Sequence, residues 1–265
     1  MCLKSARSLI PPKLHSAYWL QQNERDMPSD NDWLGPAELA QLDRLRFLKR
    51  RADWRLGRWT AKCALAGYLN APLNTRTFAT IEISPAPDGA PEVFISSQPA
   101  AVTISLSHRA GVAICAVSTS ESKLGCDLEL IEPRSDAFVA DYFSIEEQTL
   151  IAQAPADDRY RLLALLWSAK ESALKALRQG LRVDTRNVAV SLSAISHNGE
   201  DLNELETNSP TCWSPLSVRY SDGQHFHGWC QSATNYVRTL VSDPPSDPPI
   251  LLEATTALRP LQSVS

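Results

Sequence analysis

The 265-residue sequence has no apolar run approaching the roughly 18 residues that cross a membrane as a helix. It also has no Cys-x-x-Cys pair and no N-terminal apolar segment that ends at a small-residue cleavage site. These absences predict a chain of the reducing cytoplasm with no membrane partner. The six cysteines are therefore expected to be reduced and structural: Cys2, Cys63, Cys115, Cys126, Cys212 and Cys230.

Charge is distributed unevenly along the chain. Residues 1–120 carry 14 basic and 10 acidic side chains, whereas residues 121–265 carry 12 and 20, for a formal net charge of −4. A basic half beside an acidic half suggests an anionic ligand on one side and cations on the other, although undirected drift of surface charge explains it equally well.

The pattern of apolar residues predicts an α+β fold. Two helices are expected between residues 33 and 70, and β-branched runs at 80–83, 92–95, 102–106 and 112–117 predict strands of one sheet. A strand at 123–130 precedes a Ser144-x-x-Glu147 capping box, a long helix at 157–179 ended by Gly180, and strands at 188–192, 213–220, 226–232 and 237–241. The proline-rich residues 242–265 are predicted to form a flexible tail.

Two carboxylates share one face of the predicted strand at 123–130. Strand alternation places Cys126 and Leu128 on one face, with Asp127 and Glu129 on the other. On a solvated edge strand such a pair needs no partner. Here the neighbours are apolar, so the paired charge requires a cation, and an all-oxygen pair suits Mg²⁺ or Mn²⁺. Because the two carboxylates repel, Asp127→Ala is expected to leave the metal-free melting temperature unchanged or higher.

The long helix carries Trp167, Glu171 and Lys175 at intervals of four residues, on one stripe. A Glu-to-Lys pair is ordinary on a solvated surface. A tryptophan on the same stripe indicates a partly enclosed site, with Glu171 as a third metal carboxylate and Lys175 as an ammonium for an anionic ligand.

The predicted helix before residue 70 carries a stripe of five cations within about 60° of one another. They are Arg44, Arg51, Arg55, Arg58 and Lys62. A solvated face, a nucleic-acid patch or a polyphosphate site each explains such a stripe. The negative total charge and the lack of interleaved aromatic residues argue against nucleic acid.

A strand that contains Ser105 and Ser107 ends at His108 and turns at Gly111. A serine-hydrolase triad is one interpretation, but no Gly-x-Ser-x-Gly elbow is present. Phosphate contact by hydroxyl, imidazole and turn amide is the simpler one.

Together these segments resemble the 4′-phosphopantetheinyl transferases of the surfactin-synthetase-activating type. The match rests on the segment from Gly125 to Glu129, followed some forty residues later by the segment from Trp167 to Lys175. Ser105 to His108, Arg55 and Phe143-Ser144 support it. One departure is Gly89-Ala90-Pro91, where the family has Gly-Lys-Pro.

The resemblance implies two pseudosymmetric halves, each with a small, mostly antiparallel sheet and a long helix, and an active site between them. The halves would be residues 1–120 and 121–241. It implies transfer of 4′-phosphopantetheine from coenzyme A to a serine of an apo acyl or peptidyl carrier protein, with release of adenosine 3′,5′-bisphosphate. A chain that contains both halves is expected to act as a monomer, without nucleic acid.

The resemblance also assigns site residues. Asp127, Glu129 and Glu171 would hold Mg²⁺, and Glu171 or a metal-bound water would take the serine proton. Coenzyme A would be bound by Arg51, Arg55, Ser107, His108, Lys170 and Lys175, with Lys175 on the pyrophosphate. The alternatives are a nucleic-acid-binding or metal-dependent nuclease domain, and a non-catalytic relative that binds coenzyme A or a carrier.

Overall fold

A computed structural model describes residues 16–192 and 212–253 and has an α+β fold. The helices are α1 (Pro36–Arg44), α2 (Leu48–Tyr68), α3 (Thr75–Thr80), α4 (Asp136–Tyr142), α5 (Ile145–Gln153) and α6 (Ala156–Ala176). The strands are β1 (Tyr18–Asn23), β2 (Ile81–Pro85), β3 (Pro91–Ile95), β4 (Gln98–Pro99), β5 (Val102–Arg109), β6 (Val112–Thr119), β7 (Lys123–Leu130), β8 (Val188–Leu192), β9 (Ser214–Tyr220), β10 (His225–Ser232), β11 (Tyr236–Asp243) and β12 (Ile250–Leu251). In these residues no helix is long and apolar enough to cross a membrane.

The strands form three sheets. The first has the order β12-β1-β6-β5, the second has β7-β11-β10-β9-β8, and the third is the small β2-β3-β4 sheet. The prediction that residues 80–117 form one sheet is therefore wrong. The strand β6 pairs with β5 and with the N-terminal strand β1, whereas β2 and β3 pair with each other.

Each of the two larger sheets is covered by a 21-residue helix. The helix α2 packs against β1, β5 and β6, and α6 packs against β7 and β11. A third group of buried apolar side chains fills the space between the two sheets; it includes Ile114, Ala116, Cys126, Leu128 and Leu240. Cys126 and Leu128 thus point away from α6, as strand alternation predicts.

The two long helices carry similar four-residue segments at the same position along the helix. Trp59-Thr60-Ala61-Lys62 in α2 corresponds to Trp167-Ser168-Ala169-Lys170 in α6. Both lysines are 0% exposed and both tryptophans lie in aromatic clusters. Only a few side chains repeat, because the packing constrains these positions and leaves the rest free to differ.

Each lysine forms a buried ion pair with a glutamate at the start of a preceding short helix. Lys170 Nζ lies 2.8 Å from Glu147 Oε2 and also donates to two backbone carbonyls. Lys62 Nζ forms an ion pair with Glu38 Oε2 and likewise donates to two backbone carbonyls. The other oxygen of each glutamate accepts a backbone N–H from a strand, Val190 in one case and Ile83 in the other. These bonds satisfy both buried charges and fix helix, cap and strand to one another.

The C-terminal segment through Glu253 is part of the fold. Ile250 and Leu251 form a parallel edge strand on β1, and Leu252 donates its backbone N–H to Trp19 O at 2.8 Å. Leu252 also packs against the core under α2. The predicted flexible tail is thus wrong for residues 242–253, because the apolar triplet after the prolines supplies a strand; residues 254–265 lie outside the described residues.

Lys170→Met should lower the free energy of unfolding by about 3–5 kcal/mol, because it leaves the Glu147 carboxylate buried without a counter-charge. Urea denaturation measures this loss. Lys49→Met, at an exposed lysine, is the control and should change stability by less than about 0.5 kcal/mol. A double variant that also carries Glu147→Gln should recover part of the loss, and a double-variant loss equal to the sum of the losses of the two single variants would show that the pair is not coupled.

Candidate active site

The candidate site lies where β5 of the first sheet runs beside β7 of the second. Cys126 N donates to Ser105 Oγ at 2.9 Å, and Ser107 Oγ donates to Asp127 Oδ1 at 2.8 Å. The two predicted motifs, Ser-x-Ser-His and Asp-x-Glu, therefore meet across the junction of the sheets. The serine hydroxyls join the two strands here in place of backbone pairing.

The position of α6 on β7 depends on Gly125. A Cβ at this residue would lie 1.8 Å from Ser172 O and 2.9 Å from Ala176 N, so only glycine permits this approach. Because the helix lies directly on the strand, Lys175 Nζ reaches Cys126 O at 3.0 Å and Asp127 Oδ1 at 2.7 Å.

Asp127 is the buried centre of the site. Its Oδ1 accepts from Ser107 and Lys175, whereas its Oδ2 is buried and has no hydrogen-bond partner among the described residues. Burial lowers the pKa of Lys175, but the carboxylates of Asp127 and Glu171 outweigh burial and the net pKa is raised. The expectation for Asp127→Ala is therefore corrected: removing this carboxylate leaves the Lys175 ammonium without its ion-pair partner, which is destabilising.

Glu171 lies one helical turn before Lys175 and interacts electrostatically with both carboxylates of β7. Burial, followed by repulsion from Asp127 and Glu129, raises the pKa of Glu171 to about 7, and Lys175 partly offsets this. In residues 16–192 and 212–253 its carboxylate has no hydrogen bond or ion pair. A carboxylate with these neighbours is half-ionised near neutral pH.

Glu129 has basic partners of its own. Arg134 Nη2 lies 3.0 Å from Glu129 Oε2, and Arg109 Nε lies 4.0 Å from the same oxygen. Burial and Asp127 raise its pKa, while the two arginines and a hydrogen bond from Trp167 lower it. The described part of the chain contains no ready group of three or more His, Cys, Asp or Glu side chains able to hold a metal ion.

His108 follows Ser107 at the end of β5 and has an exposed edge. Partial burial lowers its pKa most; Lys175 and Lys49 lower it further, whereas Asp53 and Asp127 oppose this. The imidazole therefore lies within electrostatic range of both the Asp127–Lys175 pair and the start of α2.

Three of the residues expected to bind coenzyme A have partners away from Asp127. Lys170 is fully buried on Glu147, Thr185 O and Val188 O, so its ammonium is not available to a ligand and that expectation is wrong. Arg51 Nη1 donates to Leu42 O at the end of α1. Arg55 Nη2 donates to the carbonyls of residues 28–30.

The predicted stripe of five cations is likewise not a solvated surface. Lys62 is fully buried, and the Arg58 side chain is largely buried, with Nε 3.7 Å from Glu38 Oε1 and its guanidinium over the Trp54 ring. Only Arg44 of the five is exposed. The later members of the stripe face the protein because α2 covers the first sheet, whereas Arg46, Lys49 and Arg50, which are not part of the stripe, are exposed.

A cleft of about 810 Å³ lies between the first sheet, the β2–β3 turn and the end of α6. Its lining includes Arg58, Ala90, Lys123, Lys175 and Arg178. Arg178 Nε spans the cleft to Asp88 Oδ2 at 2.8 Å. Lys123 and Arg178 are not among the predicted site residues, because nothing in the sequence around them distinguishes them from ordinary surface cations.

A family model for the 4′-phosphopantetheinyl transferase superfamily matches residues 123–230, which is less than half of the chain. The matched segment contains β7 and α6, and hence Asp127, Glu129, Glu171 and Lys175. No curated protein matches the chain.

Among solved structures, the chain is similar to the Helicobacter pylori holo-[acyl-carrier-protein] synthase in complex with coenzyme A. The identity is 21%, over 39% of this chain and 99% of that one, with a TM-score of 0.32. A TM-score this low carries no argument about fold or function.

Glu171→Gln should change stability in a pH-dependent way when divalent cations are removed with a chelator. The folded pKa of Glu171 is raised above the unfolded value, from 4.5 to about 7, so the native state binds the extra proton and this contribution to stability is lost as pH rises between those values. The melting temperature of the variant minus that of the original protein should therefore increase from pH 5 to pH 8. Glu121→Gln, at an exposed carboxylate, should show no such trend, and a constant difference for Glu171→Gln would contradict the prediction.

Gly125→Ala should lower the free energy of unfolding by about 2–3 kcal/mol, because the new methyl group meets backbone atoms of α6 that cannot move separately. Gly57→Ala is the matched control, since no atom lies within 4 Å of a Cβ there and the residue is inside α2. It should add about 0.5–1 kcal/mol. Similar effects of the two substitutions in urea denaturation would mean that the α6–β7 contact is not as close as described.

Proposed function

We propose that this protein transfers 4′-phosphopantetheine from coenzyme A to a serine hydroxyl of an apo carrier protein, with Mg²⁺, and releases adenosine 3′,5′-bisphosphate. The observation that carries the proposal is the arrangement of buried Asp127 with half-buried Glu171 and Lys175 beside a cleft, inside the segment that matches the transferase superfamily model. Two carboxylates and an ammonium at one point suit a reaction between a metal-bound pyrophosphate and a hydroxyl.

The donor set fits a hard divalent cation. Asp127 Oδ2 is a buried carboxylate oxygen without a partner among the described residues, and Glu171 is raised in pKa by its carboxylate neighbours. A divalent cation would remove both costs. Asp127 and Glu171 would hold Mg²⁺, or Mn²⁺, and Glu129 would join them on leaving Arg134. When bound, the ion neutralises charge that develops on the leaving bisphosphate.

The side chains of the site have distinct tasks in this reaction. Glu171, whose carboxylate has no hydrogen bond or ion pair among the described residues, accepts the proton of the carrier serine. Lys175 stays protonated and binds the pyrophosphate oxygens. Ser107 and His108 lie beside the Asp127–Lys175 pair and contact the phosphates of coenzyme A.

The cleft supports a polyanionic ligand. Arg58, Lys123, Lys175 and Arg178 lie in its lining, and Asp88 is bonded to Arg178 there. The ion pair of Asp88 with Arg178 is half-exposed, so it contributes little to stability and a phosphate can displace it. Arg178 thereby supplies a cation next to Ala90, where the resembling family has a lysine.

The proposal extends to the organisation of the chain. The halves 1–120 and 121–241 form the two walls of the cleft, with residues 250–252 returning to the first. The subtype is the surfactin-synthetase-activating one, and the protein acts in the cytoplasm as a monomer without nucleic acid. The lining of the cleft supports this organisation, because Arg58 and Ala90 come from the first half and Lys123 and Lys175 from the second.

Incubation with coenzyme A, Mg²⁺ and an apo carrier protein should add one phosphopantetheine group to the carrier, detected by intact-mass spectrometry. Glu171→Gln should slow the transfer by about a hundredfold or more, because the proton acceptor and a metal ligand are lost together. A chelator should abolish transfer, and added Mg²⁺ should restore it.

Two controls make this experiment decisive. A carrier whose acceptor serine is replaced by alanine should gain no mass, and Asp157→Asn, at an exposed carboxylate in the first turn of α6, should transfer at the original rate. Absence of any mass gain across acyl and peptidyl carriers would exclude the proposed activity, and a mass gain that persists in the chelator would exclude the metal.

A further inference from the structure

An exposed apolar and basic surface lies at the start of α2. We call residues 46–50 the α2 N-terminal patch; its members are Arg46, Phe47, Leu48, Lys49 and Arg50. Phe47 is 73% exposed and Leu48 is 84% exposed, which makes them the two most exposed large hydrophobic side chains of the described residues. Neither side chain contributes to a hydrophobic core of the chain.

Helix formation does not account for Phe47. It occupies the N-cap of α2 and makes no side-chain capping bond, whereas Ser144, Ser135 and Asn74 cap three other helices with a hydrogen bond to a backbone N–H. Ser, Thr, Asp and Asn stabilise helices at this position and aromatic residues do not. An exposed phenylalanine at an N-cap is therefore a cost to the fold.

The cations of the patch are free of carboxylate partners. Arg46, Lys49 and Arg50 are exposed, and within the described residues none of them lies within 4.0 Å of an acidic oxygen. The acids nearest in sequence, Asp43 and Asp53, form no ion pair with them. A positive rim around two apolar side chains is the usual composition of a surface that binds an acidic protein.

The patch lies beside the candidate site. Lys49 and Asp53 both act electrostatically on His108, as do Asp127 and Lys175 of the buried centre. The helix α2 also packs against β5, which runs beside β7 and bonds to Asp127 through Ser107, so a protein bound at the start of α2 is expected to reach the site.

We infer that the α2 N-terminal patch docks the apo carrier protein, with Phe47 and Leu48 covering an apolar side chain and the three cations pairing with carboxylates of an acidic helix. This inference rests on the proposed function, which requires a second protein to bring its serine to the site. Lys49 and Arg50 alone would equally suit the phosphates of coenzyme A. Phe47 and Leu48 do not bind phosphates, and two adjacent exposed apolar side chains favour a protein partner.

The test compares Phe47→Ser/Leu48→Ala with the matched control Ile145→Ala. Ile145 is 72% exposed at the first position of α5 but is followed by the exposed Glu146, which would repel an acidic partner. The patch variant should lower kcat/KM for the carrier about tenfold through KM, with the Kd of coenzyme A unchanged. Its melting temperature should be equal or higher, because serine is the better N-cap. Ile145→Ala should change none of these values by more than about twofold.

A charge variant tests the rim separately. Lys49→Glu/Arg50→Glu should lower kcat/KM for the carrier more than the apolar variant does, and should flatten its dependence on salt concentration, because these charges steer association. Direct binding of the apo carrier in the absence of coenzyme A, measured by fluorescence anisotropy, should weaken in parallel for both variants.

The outcomes separate the inference from the proposed function. If the original protein modifies the carrier and Phe47→Ser/Leu48→Ala does so within twofold of its kcat/KM, the docking surface is wrong and the function stands. If the variants weaken coenzyme A binding and carrier use by the same factor, the patch belongs to the nucleotide site and docking is excluded. If the original protein gives no mass gain, the proposed function fails, and the anisotropy measurement then decides the docking surface by itself.

Discussion

The candidate site depends on one close contact, the backbone of α6 lying on β7 at Gly125. Where a side chain would normally separate helix from strand, the hydrogen atom of glycine allows Ser172 O to lie next to the strand. This close approach allows Lys175 to bond to Asp127, and it places Glu171 where the carboxylates of Asp127 and Glu129 repel it. Burial then makes the charges costly, and each carboxylate that lacks an internal cation becomes a potential ligand of an external one.

The rest of the architecture holds this contact in place. The Lys170–Glu147 pair fixes α6 to α5 and to β8 at the residue next to Glu171. Ser168 and Ser172 bond to Thr239 on β11. On the other side, the hydroxyls of β5 fasten β7 to the first sheet. The helix thus has little freedom to move along the strand, so the separation of its charged side chains is set by the fold.

Most of the helices and strands could be predicted from sequence because their patterns are local. Ser144 and Glu147 form the predicted capping box, and β7 has the predicted limits. What failed was non-local. The strand β1 has no β-branched residue, and its place between β6 and β12 depends on partners at least 89 residues away. The same limit applies to the site. The alternation in β7 correctly placed Asp127 and Cys126 on opposite faces of the strand, but no local pattern shows that Lys170 forms a buried ion pair with Glu147.

The repeated tryptophan-to-lysine segment allows α2 and α6 to be compared residue by residue. Continuing the correspondence from Lys62 and Lys170 places Cys63 where α6 has Glu171, and Gly67 where it has Lys175. Burial raises the pKa of the Cys63 thiol to about 12, so this position carries no charge at neutral pH. The first copy of the repeated segment keeps the buried lysine and lacks the Glu171–Lys175 pair. One polypeptide therefore carries two related helical frames but only one such pair of charges, and the frame without the pair is free of the constraint that these charges impose.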